Sequence, residues 1–439
     1  MRILMISYYF APQNLIGAVR PTKLAKYLAR MGHEVTVICG AGRDGKVDPT
    51  LKRDLDELTD VHTLAEWNPL RAWKKRKGGA PEAAGKPAPA AETARQQGLA
   101  FRLVDGAYIA LRWLADRSFA RLGRRELRKI SGTYDVVFST YAPFSVHEIA
   151  CRAKRVGLAK RWIADFRDEV GMPFSFQEGR KRRYLRMLRR EADVLCAVSD
   201  GFLDMMGFAG IGRVLSNGFD REDIAGVEAM GREDRLRVVY CGQLCDSRRE
   251  LGNRDITPMF RVLAALVREG ALAREELRLV YAGREGALFA QYAASCGLEA
   301  CVEDHGPVSR ETSIALQKGS DILLMASHHT ASQRGILTGK LFEYMMMDKP
   351  IVCCMAGDLP GSGVKAVLDQ TGMGYCCEAA SAQTDEAKLL SYVRDLVAAY
   401  HAKAPLLEGK NSARVECYAY PCLADTLSDW MREKGEQTL

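Results

Sequence analysis

The chain has 439 residues, 47% hydrophobic and 27% charged, with a net charge of +8. That balance excludes a disordered chain, and no stretch reaches the ~20 uninterrupted apolar residues of a membrane-spanning helix. The length exceeds one typical core and predicts two or three domains of roughly 100–200 residues each.

The predicted elements alternate from the start. "RILMISYYF" (2–10) is an apolar run that predicts a first buried strand; it begins at once and lacks a small-residue cleavage site, so it does not read as a signal peptide. Residues 21–34 predict a helix, with Leu24, Tyr27, Leu28 and Met31 on one face, and "VTVIC" (35–39) predicts the next strand. Strand, loop, helix and strand within forty residues is the pattern of a parallel sheet. Strands are predicted again at 134–139, 161–166, 193–199 and 213–218. Between them, 77–98 is rich in Ala, Pro and Gly without apolar period, the composition of a mobile tether.

A polar break near 228–237 is followed by a second alternation: strand 237–242, helix 257–269, strand 277–283, helix 286–297, strand 301–306, helix 309–318, strand 321–327 and strand 349–354, then a helical tail at 411–435. The expected domains are 1–228, with the insert at 77–98, then 229–410, then a tail at 411–439 that can cross back to the first. Both halves predict doubly wound α/β sheets, which bind ligands outside the carboxyl ends of their strands.

Thirteen cysteines, an odd number and mostly inside apolar runs, fit free thiols in a reducing cytosol. Cys241 and Cys245 lack a second pair at zinc spacing. The positive charge is concentrated in the first half. Segments 70–79, 111–129 and 179–191 interleave Arg and Lys with Trp, Leu, Phe or Tyr. Such segments suit anionic surfaces, unless they are plain solvated helix faces. No nucleic-acid-binding signature accompanies them, so a membrane surface fits better than nucleic acid.

The stretch "SQRGILTGKLFEYMMMDKPIV" (332–352) reads as loop, short helix and buried strand. Thr338, Gly339 and Lys340 stand where the helix should begin, and Glu343 lies just inside it. A helix start favours anions, a glycine admits a close phosphate and a lysine adds charge. Glu343 would repel phosphate and suits a ribose hydroxyl pair. The pairing suggests a nucleoside diphosphate; an ordinary capped helix remains the alternative.

Several segments together resemble family 4 glycosyltransferases: 1–38, "WIADFRDE" (162–169), "EADVLCAVSDGFLDMM" (191–206), "VLSNGFD" (214–220), 305–325 and "GILTGKLFEYMMMDKPIV" (335–352). The resemblance implies an α/β chain of GT-B fold, two doubly wound Rossmann-like domains facing an interdomain cleft. It implies transfer of a sugar from a nucleotide-sugar donor with retention at the anomeric carbon, needing no metal and no cofactor. Glu343 matches the second Glu of the family's Glu–seven residues–Glu motif, which holds the donor ribose. Thr338, Gly339, Lys340 and Leu341 match the phosphate-binding helix start. Gly335 stands where the first Glu would be, a departure that His328, His329 or a backbone carbonyl could offset. Gly17 matches the first-loop glycine, and Arg20 opens the next helix. Gly242 begins the loop after the first strand of the second half, whose arginines are Arg248, Arg249 and Arg254, with Arg254 the favoured phosphate ligand. Asp168 is expected to orient an acceptor hydroxyl beside Arg167, or the two to form a plain ion pair. His147 stands for the family's first-domain histidine, with the Tyr141-Ala142-Pro143 backbone as alternative, and His305 matches a loop near the base.

The expected function is therefore transfer of sugar, carried by UDP, to a glycan or polyprenyl-linked acceptor in envelope or exported polysaccharide synthesis. The enzyme would be cytoplasmic and peripheral on an anionic membrane surface, without nucleic acid as partner. Rival readings are a sugar-nucleotide epimerase, a non-catalytic nucleotide- or glycan-binding protein and a nucleic-acid-binding protein.

Overall fold

The computed structural model describes residues 1–41, 47–67, 99–168, 178–230, 234–244, 254–331 and 334–433. The expected tether at 77–98 and the arginines Arg248 and Arg249 lie outside the described residues. The chain divides into two compact units, Met1–Ser216 with Tyr420–Leu439, and Asn217–Ala419.

The first unit is built on seven parallel strands: β1 (Arg2–Ser7), β2 (Glu34–Gly40), β3 (Asp60–Leu64), β4 (Tyr134–Tyr141), β5 (Ala159–Phe166), β6 (Val194–Ala197) and β7 (Arg213–Val214), in the order β3-β2-β1-β4-β5-β6-β7. Ile3 to Ile6 are fully buried on both faces, which is why β1 is continuously apolar rather than alternating. The first helix begins at Ile16, five residues before the Pro21 that was expected to open it. Pro21 has no N–H to give to the carbonyl four residues back, which belongs to Gly17. The Arg167 guanidinium, arriving from the end of β5, donates to that Gly17 carbonyl instead. The helix thus tolerates its internal proline because a distant arginine takes over the missing bond.

The Tyr420–Arg432 helix belongs to this first unit. Leu423, Leu427 and Met431 join the core with Leu24 and Leu28, and Ser428 Oγ lies 2.8 Å from His33 Nε2.

The second unit holds six parallel strands: β8 (Leu236–Cys241), β9 (Leu277–Ala282), β10 (Val302–Asp304), β11 (Ile322–His328), β12 (Ile351–Ala356) and β13 (Gly374–Glu378), ordered β10-β9-β8-β11-β12-β13. Both units therefore repeat one winding, in which the order reverses beside the first strand. Buried clusters cover the two faces of the second sheet, one around Leu263, Leu279 and Phe289, the other around Leu323, Phe342 and Tyr344. Among the described residues no helix is long and apolar enough to cross a membrane.

Candidate functional site

In a doubly wound sheet, ligands sit at the carboxyl ends of the strands where the order reverses. That point lies between β8 and β11 in the second unit and between β1 and β4 in the first.

At the second unit's reversal, β8 runs into Gly242, whose φ of +116° favours glycine. A Cβ there would also lie 3.1 Å from Lys340 Nζ. The Gly242 carbonyl accepts from the Tyr281 hydroxyl at 3.0 Å and its N–H donates to Ala282 O at 2.7 Å, so the turn is pinned to β9. Lys340 belongs to the Gly339–Met345 helix. That helix is held to the sheet by Tyr344, whose hydroxyl accepts from Cys241 N at 3.1 Å and reaches Leu324 O at 3.4 Å. The result fixes Lys340 over the Tyr240 ring, 3.9 Å from its centroid. Its Nζ is shielded from water and has no hydrogen-bond partner among the described residues. Burial first, then the neighbouring positive charge of Arg254, pushes the Lys340 ammonium down to about 7. Arg254 itself donates to Gln243 O at 3.0 Å, and its N–H donates to Leu244 O at 2.7 Å. Two basic groups thus meet at one strand end, and no carboxylate among the described residues hydrogen-bonds the lysine.

One turn further along the helix, Glu343 is held rather than loose. Its Oε1 accepts from Gln317 Nε2 at 2.8 Å and its Oε2 from Arg310 Nη1 at 3.2 Å. Gln317 is fully buried, while the Glu343 side chain stays 27% exposed, so the carboxylate is oriented with one side open. Thr338 precedes the helix in extended conformation, and its Oγ1 is buried without a partner among the described residues. Thr338, Gly339, Lys340, Glu343, Gly242 and Arg254 therefore occupy one strand-end region of the second unit. Leu341 is corrected: its side chain is fully buried in the core and its N–H donates to Thr338 O at 3.1 Å, so it offers no group to a ligand. Gly335 has φ +74°, a backbone conformation that a glutamate at that position would adopt only with strain. His329 Nδ1 donates to Leu359 O at 3.1 Å, and the His305 ring lies 2.6 Å from Glu303.

The first unit's reversal differs. Arg20 is 3% exposed and pairs with Asp165 at 2.8 Å, while also donating to the carbonyls of Leu215 and Ser216. All three of its nitrogens are engaged, so Arg20 is a structural cation rather than a phosphate ligand. Gly17 gives its space to Arg167, whose guanidinium would lie 2.8 Å from a Cβ at that position. Asp168 is 60% exposed, with its carboxylate 3.7 Å from Arg167 Nε. His147 is fully buried among Tyr141, Trp162, Phe166 and Tyr184, with Nδ1 2.7 Å from Ser139 Oγ. Burial pushes it down to about 3, so it is a neutral core histidine at physiological pH, not an acid–base group.

Sequence reasoning missed Tyr240, Tyr344, Gln317 and Arg310. The last two precede Glu343 by 26 and 33 residues, and only the fold brings them to it. Tyr344 was within reach, since it follows Glu343 directly in a helix already singled out.

No family model and no curated protein matches the chain. Solved structures do. Sucrose-phosphate synthase from Thermosynechococcus elongatus aligns at TM-score 0.56 and 13% identity over 98% of both chains. The N-terminal domain of Candida albicans trehalose-6-phosphate phosphatase aligns at 0.61 and 14%, over 98% of this chain and 96% of that one. The Neisseria meningitidis UDP-GlcNAc 2-epimerase, bound to UDP-GlcNAc, aligns at 0.51 and 10%, over 98% and 99%. At such identities the likeness is one of fold, and it makes this chain a two-unit, parallel-sheet α/β protein of the GT-B type.

Proposed function

We propose that the chain is a glycosyltransferase taking its sugar from a nucleoside-diphosphate donor. The observation that carries this reading is the Lys340 ammonium, shielded and without a hydrogen-bond partner among the described residues, beside Gly242 and Arg254 and one turn from the oriented Glu343 carboxylate. A diphosphate would give Lys340 its missing partner next to Arg254, and Gly242 leaves it room. Glu343 would take the ribose hydroxyls, since a carboxylate accepts two such donors and repels phosphate. As the donor's glycosidic bond breaks, negative charge grows on the leaving diphosphate. Cations fixed beforehand stabilise that charge without reorganisation and without calling on a metal ion.

UDP is the proposed carrier, and a glycan or polyprenyl-linked chain the proposed acceptor, in envelope or exported polysaccharide synthesis. The family resemblance supports retention, with the leaving phosphate taking the acceptor's proton. His147 is unsuited to that duty, whereas exposed Asp168 remains proposed to orient the acceptor hydroxyl. The site of action would be the cytoplasmic face of a membrane.

Epimerisation of a nucleotide sugar is the second reading, because proteins of that activity share the fold and one of them was solved with UDP-GlcNAc. The two readings separate on incubation of the nucleotide sugar alone: isomer formed without acceptor favours the epimerase. The test of the shared premise is thermal melting with UDP, GDP, ADP, CMP and TDP, for the wild type and Glu343→Ala. Ligand at 100 times its Kd stabilises by about 2.7 kcal/mol. A shift with one nucleotide, lost in Glu343→Ala, is expected; no shift with any of them rejects the reading.

A further inference from the structure

The longest described helix outside the candidate site, Leu99–Glu126, has an unusual outer face. Counting at 100° per residue, positions 113, 114, 117, 121, 124, 125 and 128 fall within one third of the helix circumference. Those positions are Trp113, Leu114, Arg117, Arg121, Arg124, Arg125 and Arg128, the last just beyond the helix end. No carboxylate belongs to that arc. Asp116 points the other way, to Ser145, and Glu126 is taken by His62 and Lys129. Glu148, from the neighbouring helix, reaches Arg117 at 3.1 Å and Arg124 at 3.2 Å. The side chains of Arg121, Arg125 and Arg128 have no hydrogen bond or ion pair with any described residue. Five of these arginines, with Ala120, line a groove of about 380 Å³.

The apolar part of the face is equally out of place in a surface helix. Trp113 is 41% exposed, Leu114 38% and Trp67 61%. Trp67 sits against the same helix, its N–H donating to Ser118 Oγ at 3.0 Å. The Arg180 guanidinium, from the Glu178–Glu191 helix, lies 5.6 Å from the Trp113 ring and joins a second row of exposed basic residues, Arg182, Arg183, Arg186 and Arg190, to the first.

Exposed tryptophans beside unpaired arginines make the composition of the water–lipid interface, where an indole is buried to headgroup depth and its polar edge stays wet. We infer that this face of the first unit rests on a bilayer rich in anionic phospholipid, with Trp113, Leu114 and Trp67 entering the interface and the arginine groove taking lipid phosphates. Duplex nucleic acid shares the phosphate chemistry, but it gives no reason for two tryptophans and a leucine to stand out beside the arginines. The inference does not depend on the nucleotide site, since none of these residues belongs to it.

The test is co-sedimentation of the full chain with vesicles of phosphatidylcholine, with and without phosphatidylglycerol, at near-physiological salt. The wild type should pellet only with the phosphatidylglycerol vesicles. Arg121→Glu, Arg125→Glu and Arg128→Glu together should lower the partition coefficient more than ~10-fold, since each basic residue near an anionic surface contributes about a fivefold factor. Trp113→Ala should lower it less and reduce the blue shift of tryptophan emission on vesicles. The melting temperature of the triple variant, and its response to nucleotide, should match the wild type. Wild type that stays in the supernatant, a triple variant that pellets undiminished, or retention on duplex DNA without retention on vesicles would overturn the inference.

Discussion

The two sheets carry the same winding and differ in how charge is paired at the place where that winding reverses. In the first unit the charged groups there are paired from within: Arg20 by Asp165 and two carbonyls, and Arg167 by the Gly17 carbonyl and Asp168, while neutral His147 meets Ser139 through Nδ1 and leaves its buried Nε2 among aromatic side chains. In the second unit Lys340 and Thr338 Oγ1 are buried without partners among the described residues, while Glu343 is oriented and partly open. A parallel sheet delivers side chains to one edge; whether that edge becomes a ligand site depends on which polar groups the protein leaves for the ligand to satisfy.

This contrast can be broken most forcefully at Asp165. Asp165→Ala leaves Arg20 charged and buried, and also removes the acceptor for Thr140 Oγ1 at 2.7 Å. Loss of one partner of a buried ion pair costs about 3–5 kcal/mol. Chemical denaturation should show that loss, with the response to nucleotide retained by the folded fraction; a stable variant that has lost nucleotide binding would reverse the roles assigned to the two edges.

His147 gives a smaller, pH-dependent effect. Burial lowers it from 6.5 to about 3 in the folded protein, so the unfolded chain binds the proton first on acidification. Its contribution is present above pH 6.5 and is lost as pH falls toward about 3, at up to about 1.4 kcal/mol per pH unit. His147→Gln should flatten this part of the stability profile, measured by denaturation across that range. An unchanged acid slope would mean that His147 is accessible and returns it to the catalytic candidates.

The smallest effect sharpens the second edge. Gln317→Leu keeps the helix packed and removes the 2.8 Å bond that orients Glu343. Nucleotide affinity should fall about fivefold, the worth of one ~1 kcal/mol hydrogen bond. No change in the dissociation constant would show that Arg310 alone fixes the carboxylate.

The fold was legible because buried parallel strands are apolar on both faces. β1 and β11 stand out as runs, whereas β3, with exposed Asp60 and Thr63, does not. Lys340 and Glu343 were legible because a helix start compresses a lysine and a carboxylate into one contiguous stretch. Arg20 and His147 were misassigned for a physical reason. Charge and position are visible in a sequence but burial is not, and the partner that engages Arg20 lies 145 residues away. Pro21 hid the true helix start in the same way, since the bond that rescues it comes from Arg167, 150 residues beyond Gly17.

The central claim is that Lys340 waits for an anion. Its ammonium is held down to about 7 by burial and Arg254, against the weaker opposing influence of Cys241, Glu343 and Cys353. A bound diphosphate would restore the charged form, so binding must take up a proton above that pH. The measurement is the UDP dissociation constant by calorimetry from pH 7 to pH 9, for the wild type and Lys340→Met. The account predicts affinity falling by up to about tenfold per pH unit with proton uptake in the wild type, and weak, pH-independent binding in Lys340→Met. Equal affinity in the two proteins, or a wild-type constant that does not move with pH, would contradict it.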